Sequence, residues 1–137
     1  MIDIALAIAK KAHAGQVDKA GIDYIQHPLY VASQVKTEQE KAVALLHDVI
    51  EDSDVTADDL LASGLSNEVV TAVQILTKKK GQSYQEYLEK VKSNNLARIV
   101  KLADLKHNSD LSRLKSVTNA DYERVKKYKN AIRYLST

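Results

Sequence analysis

The chain has 137 residues, no cysteine, a formal net charge of +2, and 28% charged against 45% hydrophobic residues. That is the profile of one globular domain with enough chain to bury a core. It excludes disulfides and thiolate metal ligands, and a charge so small gives no reason to expect nucleic-acid binding by bulk electrostatics. One proline, four glycines and abundant Ala, Leu, Lys and Glu predict an all-α chain.

Ile4, Ala5, Ile8, Ala9 and Ala12 recur at helical spacing and predict a first helix over about 2–14. Residues 15–26 carry two glycines and no apolar period, so they read as a long loop, a common seat of function. Pro28 suits a first helical position, which starts the next helix at His27 and carries it to about Val35. Thr37 and Glu40 form a capping box that opens a helix ending near Asp52, with Val43, Leu46, Val49 and Ile50 inward.

A short helix over about 56–62 stops at Gly64, and Ser66 caps a helix whose inner side is Val69, Val70, Val73 and Leu76. Ser83 caps another to about Val91. Further helices run over about 95–108 and over 121–135. The acidic stretch 38–59 and the basic stretches 78–80 and 124–133 read as solvated faces. No apolar run approaches the ~20 residues of a membrane span. The first residues, Met1-Ile2-Asp3-Ile4, lack the basic-then-apolar pattern of a leader, so no membrane and a cytoplasmic setting are expected.

Chemistry concentrates on three otherwise apolar segments. Ala44-Leu45-Leu46-His47-Asp48-Val49-Ile50-Glu51-Asp52 holds a His-Asp doublet one helical turn before an acidic pair. His27 precedes Pro28, and Asp104 ends Val100-Lys101-Leu102-Ala103-Asp104. An unpaired carboxylate on a buried helix face is costly. Residues four apart share a helix face, which sets Glu51 above His47, Asp52 above Asp48, and Asn108 beyond Asp104. The pattern reads as an inner set of His27, His47, Asp48 and Asp104 for a divalent metal, with Glu51, Asp52 and Asn108 above it. Imidazole and carboxylate donors suit Mn²⁺, Fe²⁺ or Zn²⁺ and leave positions open for water, the chemistry of a phosphohydrolase. Glu51 or Asp52 would position that water or move its proton. His13, at a helix end, and His107, off the Asp104–Asn108 line, read as structural or supporting groups.

Ala12-His13-Ala14-Gly15-Gln16, Tyr24-Ile25-Gln26-His27-Pro28, Leu45 to Asp52, Leu76-Thr77-Lys78, Lys101-Leu102-Ala103-Asp104 and His107-Asn108 occur in the order seen in the HD-domain phosphohydrolases. At these residues the chain resembles, more narrowly, the alarmone hydrolase domain of the Rel/SpoT proteins. The resemblance implies a compact helical HD fold and Mn²⁺-dependent removal of pyrophosphate from the 3′ position of (p)ppGpp. It implies metal binding by His27, His47, Asp48 and Asp104, and water activation by Glu51 and Asp52. Lys19 would meet phosphate, Asn108 the ribose or a phosphate, and Arg124 and Tyr128 the nucleotide end.

The chain departs from that family in Val17-Asp18-Lys19, where an arginine commonly precedes the lysine and is expected to contact guanine. An acid cannot stack as an arginine does. It departs again at Leu105-Lys106 and Ser109-Asp110. Two other readings therefore stand beside the first. One is hydrolysis of a different nucleotide, such as NADPH at its 2′-phosphate or a nucleoside phosphate. The other is a module that holds a nucleotide without turnover.

Overall fold

The computed structural model describes all 137 residues and is helical throughout, apart from turns and one isolated bridge between Val17 and Asp23. Its helices are α1 (Ile2–Ala12), α2 (Gln26–Ser33), α3 (Glu38–Leu46), α4 (Val49–Asp52), α5 (Ala57–Ala62), α6 (Asn67–Leu76), α7 (Tyr84–Ser93), α8 (Asn95–Asn108) and α9 (Asn119–Ser136), with a 3-10 turn at Leu111–Arg113. Side-chain caps explain most of these starts. Thr37 with Glu40, Thr56 with Asp59, Ser83 with Glu86 and Thr118 with Asp121 are complete capping boxes, and Ser66 and Asn94 cap α6 and α8. Each satisfies amide donors that the first helical turn cannot.

α3 is the centre of the molecule. Ala42, Val43, Ala44, Leu45 and Leu46 are all buried, so this helix has no solvent face over its last turn and a half. It packs on α1, α2, α6 and α8, and α8 in turn packs on α6, α7 and α9. One apolar cluster of 26 residues joins these elements, with Leu46, Val49, Val69, Val73, Val91, Val100, Leu105 and Leu135 fully enclosed. Burying a side chain of that size contributes about 1.5–3 kcal/mol. The Tyr87 hydroxyl donates to the Leu76 carbonyl at 2.8 Å and ties α7 to the end of α6.

The structure moves several boundaries, among them the ends of α2, at Ser33 rather than Val35, and of α7, at Ser93 rather than Val91. The helix expected to run unbroken from Glu38 to Asp52 stops at Leu46 and resumes at Val49, with His47 and Asp48 in the turn between. Asp48, at φ −108° and ψ 0°, leaves the helical well, while His47 keeps helical angles. α1 ends at Ala12, with His13 as its C-cap and Gly15 at φ +81° carrying the chain away. α2 begins at Gln26, which makes Pro28 its third residue rather than its first. That is equally tolerable, since amides of the first turn have no intrahelical partner to lose. α9 begins two residues earlier than Asp121, because Thr118 is its cap and Asp121 the third residue of the box. No helix is long and apolar enough to cross a membrane.

Candidate metal centre and its cavity

α2, the break after α3, and α8 each bring one imidazole or carboxylate to a common point. Donor atoms of His27, His47 and Asp104 all lie within 4.8 Å of one another, and all three residues are buried. His27 Nε2 stands 2.8 Å from Asp104 Oδ1, and His47 Nε2 stands 3.3 Å from the same oxygen. Asp48 is not one of this mutually close set and meets it through His47 alone, its Oδ2 being 3.1 Å from His47 Nε2.

The proton of His47 is fixed by geometry. Its Nδ1 is 2.6 Å from the Ala44 carbonyl oxygen, which can only accept, so Nδ1 carries the hydrogen. In the neutral ring, Nε2 is then a bare lone pair facing two carboxylates, and this buried atom has no hydrogen-bond partner. Lone pairs aimed at one point call for positive charge between them. Burial alone pulls the His47 imidazole down, yet the carboxylates of Asp48 and Asp104 hold it well above the usual range. A divalent cation meets the same demand, and the donor set, two imidazoles and two carboxylates without thiolate, fits one.

The carboxylates are themselves held. Burial alone would push the Asp104 carboxyl up, but Lys101, His27 and His47 keep it well below the usual range. Lys101 Nζ donates to its Oδ2 at 3.0 Å, and Asn108 Nδ2 donates to its Oδ1 at 3.1 Å. Burial opposes and His47 favours ionisation of Asp48, with a net fall to about 2. The Tyr24 hydroxyl donates to Asp48 Oδ2 and orients it. Glu51 and Asp52 lie on α4 beyond Asp48, both at the surface. Burial, then the charges of Asp48 and Asp52, push the Glu51 carboxyl up. Asp52 Oδ2 accepts from Gln16 Nε2 at 3.2 Å, and Gln16 Oε1 accepts from His13 Nδ1 at 2.9 Å. His13 thus packs beneath Tyr24, ring centroids 4.8 Å apart, as a support for the loop. His107 supports His27 in the same way, Nδ1 to Nδ1 at 2.7 Å.

Beside this cluster opens a cavity of about 300 Å³, lined among others by Gln16, Lys19, Tyr24, Asn108, Arg124 and Tyr128. Lys19, Asn108, Arg124 and Tyr128, scattered over the sequence, therefore line one cavity. Arg124 is tied to Asp121 on its own helix. Glu51 and Asp52 do not line it; Asp52 reaches it only through Gln16. The sequence reading gave no role to Tyr24, Gln16 or Lys101, although all three fall within the motifs it singled out. Arg113 also lines the cavity and carried no sequence signal at all.

A helical fold that gathers two histidines and a carboxylate into a buried site for a divalent cation defines the class. The sequence profile of the HD domain family matches residues 5–135, and the chain belongs to that family. The guanosine-3′,5′-bis(diphosphate) 3′-pyrophosphohydrolase of Haemophilus influenzae is 40% identical over 115 residues, covering 74% of this chain and 17% of that protein. The bifunctional (p)ppGpp synthase/hydrolase SpoT of Escherichia coli K12 is 33% identical over 118 residues, covering 76% of this chain and 17% of that protein. The chain spans about a sixth of the length of these curated relatives. A solved structure of a metazoan ortholog of SpoT that hydrolyses ppGpp superposes with a TM-score of 0.80 at 23% identity, covering 98% of this chain and 84% of that one. That likeness shows a shared fold.

Proposed function

We propose that this chain is a divalent-metal phosphohydrolase whose substrate is (p)ppGpp, cleaved at the 3′ position to pyrophosphate and GDP or GTP. The observation that carries the reading is the buried meeting of His27, His47 and Asp104 beside a cavity lined by Lys19, Asn108, Arg124 and Tyr128. The names of the relatives at 33–40% identity support the choice of substrate.

In this reading His27, His47, Asp48 and Asp104 hold the cation, and Mn²⁺ is the ion we favour for that mixed donor set. When bound, it supplies Lewis acidity toward water and toward a phosphoryl oxygen. Glu51 and Asp52 orient the attacking water and take its proton, with Asp52 steadied by Gln16. Water adds to the phosphorus attached to the ribose 3′ oxygen, the bond between them breaks, and the oxygen leaves protonated. Lys19, exposed on its loop, neutralises phosphate. Asn108, already oriented by Asp104, meets the ribose or a phosphate, and Arg124 and Tyr128 meet the nucleotide end. The partner is thus a small nucleotide, and the setting we assign is the cytoplasm.

Asp18 on the cavity wall favours a second reading, the same chemistry on another nucleotide. One assay decides between them: pyrophosphate release from ppGpp by the purified protein with Mn²⁺, alongside NADPH and a nucleotide panel. Rapid Mn²⁺-dependent release from ppGpp is the expected result. Silence on ppGpp with turnover elsewhere would replace the substrate, and binding without turnover of any nucleotide would leave a non-catalytic module.

A further inference from the structure

The segment that follows α8 has no part in the metal cluster, yet it builds one wall of the cavity. Asp110 accepts from the amide and hydroxyl of Ser112, at 3.0 and 2.6 Å, and this closes the 3-10 turn. The turn delivers Leu111, Arg113 and Leu114 to the cavity. The facing wall is the loop after α1. There Asp18 Oδ1 accepts from the amides of Ala20 and Ile22 at 2.8 and 3.0 Å, so one carboxylate oxygen shapes its own turn. Its Oδ2 meets Arg113 Nη2 at 3.4 Å, across 95 residues of sequence. Arg113 Nη1 donates to the His107 carbonyl at 3.3 Å and lies 3.2 Å from both nitrogens of the His107 ring.

The guanidinium is therefore held from two sides before any ligand arrives. Its Nε–H and one Nη2 hydrogen remain without a hydrogen-bond partner in the chain. Phosphate is better met elsewhere in the cavity, at Lys19, than at this corner, where the Asp18 carboxylate already stands 3.4 Å from the guanidinium and Asp110 lies on the same turn. Leu111 and Leu114 beside the guanidinium favour a flat, uncharged ring. An arginine donor next to a carboxylate acceptor matches a ring edge that carries an acceptor next to an N–H donor, which is the edge of a nucleobase.

We propose that Arg113, locked by Asp18, is the specificity-determining residue that recognises the nucleobase of the substrate. This deepens the nucleotide-hydrolase reading and rests on it for the nucleotide class. It gives Asp18 a purpose: the acid holds in place a cation supplied from elsewhere in the chain. Arg113 needs no contact with the reacting phosphorus.

The test is equilibrium binding of GDP and of ribose 5-phosphate, which lacks a base, to wild type, Arg113→Ala, Arg113→Lys and Asp18→Asn. A well-made arginine contact to a base is worth about 1–3 kcal/mol, or roughly 5- to 150-fold. Arg113→Ala is expected to weaken GDP by that order and leave ribose 5-phosphate within about twofold. Arg113→Lys keeps the charge but not the planar fork, so it should lose most of the GDP advantage while melting like wild type. Asp18→Asn keeps the turn and drops the charge, and should weaken GDP by a few-fold. Equal weakening of both ligands, an unchanged GDP affinity in Arg113→Ala, or a wild type that binds GDP no better than ribose 5-phosphate overturns the proposal. A wild type inert toward ppGpp that still binds GDP through Arg113 sinks the hydrolase reading alone.

Discussion

His27 and His107 meet nitrogen to nitrogen, Nδ1 to Nδ1, at 2.7 Å. One of the two must donate. With a cation on His27 Nε2 the proton would belong on His27 Nδ1, and His107 would accept it through a bare lone pair; without the cation, Nε2 donates to Asp104. His107 is kept in that neutral form: burial, then the charge of Arg113, lowers its imidazole to about 4. Tyr30 stacks on the His107 ring at 4.2 Å between centroids. Histidine ligands backed in this way are oriented and made more basic by the group behind them.

His107→Ala should therefore weaken Mn²⁺ affinity about 10- to 100-fold while leaving every proposed ligand in place. Isothermal titration of the metal-free protein with MnCl₂ measures this. An unchanged affinity would reduce His107 to packing.

Glu51 stands on α4 one turn past the His-Asp doublet and reaches no proposed ligand by hydrogen bond. Glu51→Gln preserves shape and removes proton-accepting capacity. The expected outcome is a fall in kcat of roughly 10²- to 10⁴-fold with Mn²⁺ affinity unchanged. Full activity in this variant would move the proton to Asp52, which is the carboxylate tied to Gln16.

The helices were largely legible because their signals are local. Thr37, Ser66 and Ser83, read as caps in the sequence, sit three residues before the amides they cap, and the apolar period of α6 lies in the spacing of Val69, Val70, Val73 and Leu76. The convergence of His27, His47 and Asp104 was legible for a different reason: a histidine or carboxylate on a buried face demands a partner, and three such demands point to each other. The break at His47-Asp48 left no local trace, since Ala44 to Ile50 is a sound helical pattern. The partner that Asp48 meets at that break, the Tyr24 hydroxyl, lies 24 residues away. The Asp18–Arg113 pair was illegible outright. Neither residue breaks a period, and their partnership exists only once α8 has carried the chain back to the first loop.

Asp121 gives a prediction about acid stability. It accepts from the Thr118 amide at 2.9 Å and from the Thr118 hydroxyl at 3.0 Å, and it pairs with Arg124. The Thr118 amide first, then Arg124, holds its carboxyl down at about 2, below the ordinary 3.8. A depressed folded-state value means the unfolded chain takes up the proton first as pH falls. The stabilisation is complete above about pH 4 and is lost as pH drops toward 2. Asp121→Asn should thus be less stable than wild type in urea at pH 6, with the gap closing steadily below pH 4. A gap independent of pH would mean the cap acts through shape alone.

Lys101 is the counterion that allows Asp104 to stand in the core. Burial pulls its ammonium down, but Asp104 at 3.0 Å outweighs that and leaves it above the ordinary lysine range, so it is charged at any working pH. Its Nζ lies over the Tyr87 ring, 5.3 Å from the centroid. Lys101→Met keeps the stem and deletes the charge, leaving a buried carboxylate short of one partner. Breaking such a pair costs about 3–5 kcal/mol, and His27 and Asn108, which remain on Asp104, place this case at the lower end. A divalent cation beside Asp104 would replace much of the missing positive charge. The metal-free variant should therefore unfold at lower urea than wild type, and saturating Mn²⁺ should raise its midpoint by more than it raises that of wild type. Equal gains in the two proteins would place the bound cation away from Asp104 and dismantle the assigned metal centre.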